Sequence, residues 1–223
     1  MTNSDLQEAA AVLRHLLDVL SAAVPDATTD AAADFRRATG QLSANAEARL
    51  RAGTVGGEMQ SVFSLLVVAG TSYDAMARAW KTALLEEPTG RAAVALVNFF
   101  VVFALAATAG VIAGAPLATR SDADRYLAGM ADAFDVVEDY AAGRQDSSSY
   151  RALTTLRATV VRDLTDRGRQ LPRLVPYSIG QPLPALWLAN RLYGDGSRAE
   201  ELVQQNRAIH PLFMPMSGVG LSQ

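Results

Sequence analysis

The chain has 223 residues, half of them hydrophobic and 19% charged. That is enough apolar chain to bury a core, and it excludes a disordered protein. With no cysteine and two histidines, disulfide frameworks, thiolate zinc sites and cysteine nucleophiles are excluded, and little remains for a histidine-rich metal centre or a histidine general base. The net charge is −3, which is not the footprint of a strongly basic nucleic-acid binder.

Alanine is the commonest residue, and helices are expected. The first residues, Met1 to Asp5, lack the basic and apolar regions of a signal peptide, so export by that route is not expected. Ser4 with Gln7 reads as a capping box, and Leu6, Ala10, Leu13, Leu17 and Leu20 follow at helical spacing up to Pro25. A second helix is expected from Thr29 to Ala52, with Phe35, Leu42, Ala46 and Leu50 near one face. A third runs from near Glu58 through Gly70 to Leu84, carrying Met59, Val62, Phe63, Leu66, Tyr73, Ala77, Trp80 and Leu84. Pro88 disfavours helical geometry at Glu87 and ends it.

From Ala92 to Thr119 there is no charge at all. By length and hydropathy this run qualifies as a membrane span, and Gly110 with Gly114 makes a GxxxG. Against that reading stand ten alanines, Asn98 inside the most apolar part, and flanking Arg91 and Arg120 that show no positive-inside asymmetry. A central helix wrapped by the amphipathic ones is therefore expected.

Ser121, Asp122 and Asp124 form a helix start whose acids suit the positive end of the dipole, and Tyr126, Met130, Phe134 and Val137 form its buried stripe. A polar linker follows from Gly143 to Ser149, then a helix from Tyr150 to Arg167 burying Leu153, Leu156, Val160 and Leu164. Beyond it six of the nine prolines lie between Leu171 and Met216. Arg173–Ile179 reads as an edge strand because Pro176 cannot donate to a ladder. Leu183–Tyr193 and Ser197–Asn206 read as short helices, and Phe213–Leu221 as a second extended piece. The fold class is thus mainly α: an antiparallel helical bundle over 1–168, then a small βααβ module over 169–223.

That module resembles the LysM fold. The matching pieces are Leu186-Trp187, Tyr193-Gly194, Ala199-Glu200-Glu201-Leu202, Asn206 and Pro215. The family's Gly-Asp-Thr-Leu turn, part of its glycan groove, is represented only by Gly180-Gln181-Pro182-Leu183. A broader resemblance rests on Leu192 to Glu201 (LYGDGSRAEE), Asn206 to Pro215 (NRAIHPLFMP), Tyr150 to Arg157, Val161 to Leu164 and Thr119 to Ala123. These stretches are similar to the C-terminal part of the DNA circularisation protein family of Mu-like phages. The family's β-rich N-terminal domain has no counterpart in this chain. The resemblance implies a tail or baseplate component of a contractile particle, located in the virion tail after assembly in the host cytoplasm. Its partners would be hub, spike, tube or wedge subunits, and possibly further copies of the chain itself.

Within the module, Tyr193, Asp195, Arg198, Asn206, His210 and Phe213 are the candidate interface residues. Tyr and Arg are the types that anchor interfaces, although a helix-end turn at Tyr193-Gly194-Asp195 and a local turn at Asn206 explain those residues equally. His210 has no nucleophile or acid in a motif beside it. His15 reads as a packing residue. Asp132, Asp135, Glu138 and Asp139 form an acidic helical face, either solvated or meeting a basic partner. No EF-hand, Glu-x-x-His or P-loop spacing occurs. A non-enzymatic protein without metal or cofactor is expected.

Residues 1–150 hold eighteen acids and eleven bases, whereas 151–223 hold five and nine. Arg151, Arg157, Arg162, Arg167, Arg169 and Arg173 in that basic part support one alternative, a DNA-end-binding protein acting on injected DNA. A second alternative is a LysM-type module that binds peptidoglycan, and a third is a membrane protein anchored by Val94 to Val111.

Overall fold

A computed structural model describes residues 2–26, 28–143 and 147–222. The chain is mainly helical, with two strands among the described residues. In order it forms α1 (Asn3–Ser21), α2 (Asp30–Ala44), α3 (Ala46–Ala52), α4 (Val55–Val68), α5 (Tyr73–Leu84), α6 (Arg91–Gly114), α7 (Arg120–Gly143) and α8 (Ser147–Arg169). After these come β1 (Leu174–Ser178), α9 (Ala185–Tyr193), a 3-10 turn (Gly196–Arg198), α10 (Ala199–Gln205) and β2 (Ser217–Leu221). Two compact units result: 1–115 with 128–161, and 116–127 with 162–223. The expected linker at 143–149 falls partly outside the described residues.

In the first unit α6 packs along α5 and α1 and against α4, while α2 packs on α4. The start of α1 lies slightly earlier than Ser4. Thr2 Oγ1 accepts from Asp5 N–H (3.1 Å), and the Asp5 carboxylate accepts from Thr2 N–H (3.2 Å). A charged acceptor in the first turn outcompetes Gln7. The expected leucine stripe of α1 is fully buried.

Two expected long helices are each broken. Asn45 separates α2 from α3, its Nδ2 donating to the Gln41 carbonyl (2.9 Å) and so competing with the helical ladder. Gly70 adopts a left-handed φ of 81° and ends α4's last turn. Ser72 then caps α5 by accepting from Ala75 N–H (3.2 Å). This restart changes the buried face of α5 to Ala75, Met76, Ala79, Trp80 and Ala83, leaving Tyr73, Ala77 and Leu84 only partly covered.

The apolar helix α6 is not wrapped on all sides. Ala93, Leu96, Val97, Phe100, Val101, Ala104, Leu105, Thr108, Ala109 and Ile112 form its buried arc. Ala95, Ala106, Gly110 and Ala113 on the opposite arc are exposed, with Phe99, Val102 and Phe103 half-buried beside them. The helix is long and apolar enough to cross a membrane by length and composition, and half of its most apolar window is buried. Its N-terminus is capped from another helix: the Glu8 carboxylate on α1 accepts from Thr89 N–H (2.7 Å) and Gly90 N–H (2.9 Å). Both donors lie just before the first turn of α6, at its cap and the residue before it.

The second unit is built around Tyr177, Ala185, Leu188, Ala189, Leu202 and Met214. The cap of α7 is Thr119 rather than Ser121, its hydroxyl and the Asp122 carboxylate exchanging bonds with each other's N–H groups (3.3 and 2.9 Å). Strands β1 and β2 pair antiparallel, Leu174 opposite Leu221 and Ser178 opposite Ser217. The last strand is shorter than expected: it begins at Ser217, after a turn at Pro211-Leu212 and bends at Phe213 and Met216. Ile179 N–H donates to Met216 O and Ser222 N–H to Arg173 O. The odd-numbered residues of β1 therefore face the partner strand, and Leu174, Pro176 and Ser178 turn their main chain outward. Pro176, with no N–H, sits in the middle of that open edge and blunts it.

Candidate docking surface of the C-terminal unit

The six candidate interface residues separate into two groups. Tyr193, Arg198 and Asn206 secure β2 to the helices. The Tyr193 hydroxyl accepts from Leu221 N–H (3.0 Å). Asn206 Oδ1 accepts from Val219 N–H (2.8 Å), and its Nδ2 donates to Val219 O and Leu202 O (2.8 Å each). Val219 and Leu221 are the positions whose main chain points away from β1, so these side chains occupy β2's free edge. Arg198 lies over the Tyr193 ring, 3.9 Å from its centroid, and its Nη2 bonds Glu201 (2.7 Å) and Leu221 O (3.3 Å). Burial raises the Tyr193 phenol above its ordinary pKa, so it stays neutral.

This arrangement explains the two glycines of β2. A Cβ at Gly218 would collide with Asn206 Oδ1 and the Tyr177 hydroxyl, and one at Gly220 with the Tyr193 hydroxyl. Asp195 is local as well: its carboxylate accepts from Ser197 N–H (2.8 Å) and starts the 3-10 turn. Those hydrogen bonds hold its pKa below the ordinary aspartate value.

His210 and Phe213 belong to the second group, an exposed apolar loop over 209–216. Ile209 is fully exposed, Leu212 and Met216 are each more than half exposed, and Phe213 is 67% exposed. Sequence reasoning missed Ile209, Leu212 and Met216, since nothing in their spacing separates an outward apolar side chain from a strand's inward one. The loop is nonetheless fixed. Met214 in its centre is fully buried, Met214 N–H donates to Leu183 O (3.0 Å), and Ala185 N–H donates to Pro211 O (2.6 Å). His210 Nδ1 accepts from Leu212 N–H (3.1 Å), with the Phe213 ring 5.6 Å from the imidazole. Four large apolar side chains are thus held out in water on a preordered backbone, and surfaces of that kind mark interaction sites.

The charged candidates are largely absorbed within the units. Arg157 bridges Asp135 (2.6 Å) and Glu138 (3.1 Å), which neutralises part of the acidic face of α7. Those carboxylates hold the guanidinium's pKa above its ordinary value. Arg162 and Arg169 pair with Asp166, and Arg167 pairs with Asp163. His15, expected as a packing residue, is instead exposed and stands 3.2 Å from Glu86. Among the described residues no cluster of three metal-ligating side chains occurs.

No protein-family model matches the chain. It is similar to the Mu-like prophage FluMu DNA circularization protein of Haemophilus influenzae, 30% identical over 95 residues. That stretch is 43% of this chain and 21% of the relative, so the chain spans only about a fifth of the protein it matches. The similarity links this chain to a phage protein.

Proposed function

We propose that this chain is a non-enzymatic structural component of a contractile phage or phage-like tail, at the baseplate or tube tip, acting through protein–protein assembly. The observation that carries the reading is the 209–216 loop, which is anchored by backbone hydrogen bonds and the buried Met214 and presents Ile209, Leu212, Phe213 and Met216 to solvent. Burying such side chains against a neighbour contributes about 25 cal/mol per Å² of apolar surface, and an already ordered loop loses little entropy on docking. The similarity to a Mu-like prophage protein supports a particle as the place of assembly. The strand–helix–helix–strand order of the second unit agrees with a LysM-like module used as a docking knob. Its partners in this reading are hub, spike, tube or wedge subunits.

The test is to purify particles from the producing cells and quantify their proteins by mass spectrometry. The expected result is this chain in fixed ratio to the tail proteins. Its absence from intact particles would overturn the reading.

A further inference from the structure

We infer that copies of this chain assemble head to tail, the 209–216 loop of one copy seating in the groove between α4 and α6 of the next. The inference rests on the reading of that loop as a docking element, and adds the identity of one partner. The groove has a volume of about 210 Å³ and is lined by Gln60, Phe63, Ser64, Val67, Phe103, Ala106 and Ala107. Phe63 and Phe103 stack with ring centroids 6.2 Å apart. The exposed Ala106 and the open space beside Gly110 and Gly114 leave that side of α6 uncovered. The first unit thus carries an apolar groove and the second an apolar loop that projects into solvent.

Charge decides which surfaces meet. The first unit holds sixteen carboxylates against eleven cations, a net of −5, and the second holds seven against nine, a net of +2. Groove-to-groove contact brings two acidic units together and loop-to-loop contact two basic ones. Loop-to-groove contact alone pairs opposite signs. The seat on α6 is free of charge from Ala92 to Thr119, so no ion is desolvated there. At the base of the loop Arg207 takes a left-handed φ of 49°, a conformation that favours glycine. It makes no ion pair among the described residues, which leaves its cation for an acidic neighbour. A contact between two different surfaces of one chain is heterologous and continues into a ring or filament.

Sedimentation velocity on the full-length chain tests this, with Phe213→Asp and Ala106→Arg as variants at exposed positions and circular dichroism confirming that each folds. The wild type is expected to form concentration-dependent oligomers, and each variant alone to sediment as a monomer. An equimolar mixture is expected to give heterodimers and nothing larger, because one variant keeps its groove and the other its loop. A monomeric wild type, an oligomeric variant or a monomeric mixture would overturn the inference. If the wild type is monomeric yet present in particles, the self-partner falls while the docking loop stands.

Discussion

Glu8 is a surface carboxylate on α1, yet it serves the most apolar helix in the molecule. Its carboxylate accepts from Thr89 and Gly90 just ahead of α6, whose cap residue Gly90 has no side chain to cap it. The backbone bond from Thr89 is the main cause of its lowered pKa. Folding therefore favours the ionised form, and the stability this adds is fully present above the unfolded pKa and lost as pH falls through the folded one. Glu8→Gln is expected to lower the melting temperature at neutral pH. The gap from wild type should close on acidification, in melts followed from about pH 7 to about pH 3. In the second unit, Asn206→Ala removes two hydrogen bonds at β2's edge and one to Leu202 O on α10 and should cost about 2–3 kcal/mol in urea unfolding. Asn206 was legible as a turn residue, but its reach across to Val219 was not, since that contact depends on a chain reversal that no local pattern encodes.

At the scale of elements, apolar periodicity located α1 and α4 because burial on one face repeats with the helical turn, and the long uncharged run located α6. Periodicity failed where a single residue interrupted the ladder: Asn45, through its side chain, and Gly70, through its left-handed backbone, each ended a helix that the pattern carried on. It also could not show which part of α6 lacks a cover, since that run carries no charge and is apolar nearly throughout. The structure separates them. Phe100 is fully buried, in edge contact with Phe63 at 5.2 Å, and Phe100→Ala should cost about 3–5 kcal/mol. Ala106→Arg on the open arc should change stability by less than about 0.5 kcal/mol. Chemical denaturation of the two variants checks this contrast, and equal losses would mean that α6 is enclosed after all.

Taken whole, the chain combines an acidic, helix-rich unit with a small basic unit whose own core is stitched by Tyr193, Arg198 and Asn206. The six residues singled out from the sequence divide in the structure between pinning β2, starting the 3-10 turn and facing solvent. Residues that pin β2 lie between Tyr193 and Asn206 and those that face solvent follow from Ile209, and only the backbone path tells them apart. The account's central claim is that the 209–216 loop is where this protein meets its neighbours in an assembled particle. The most direct measurement is photo-crosslinking within intact particles, with a benzoylphenylalanine in place of Phe213 and a control probe at the exposed Arg162. The account predicts adducts to adjacent tail subunits or to a second copy from position 213 and few from position 162. Equal yields from both positions, or none from 213, would contradict it.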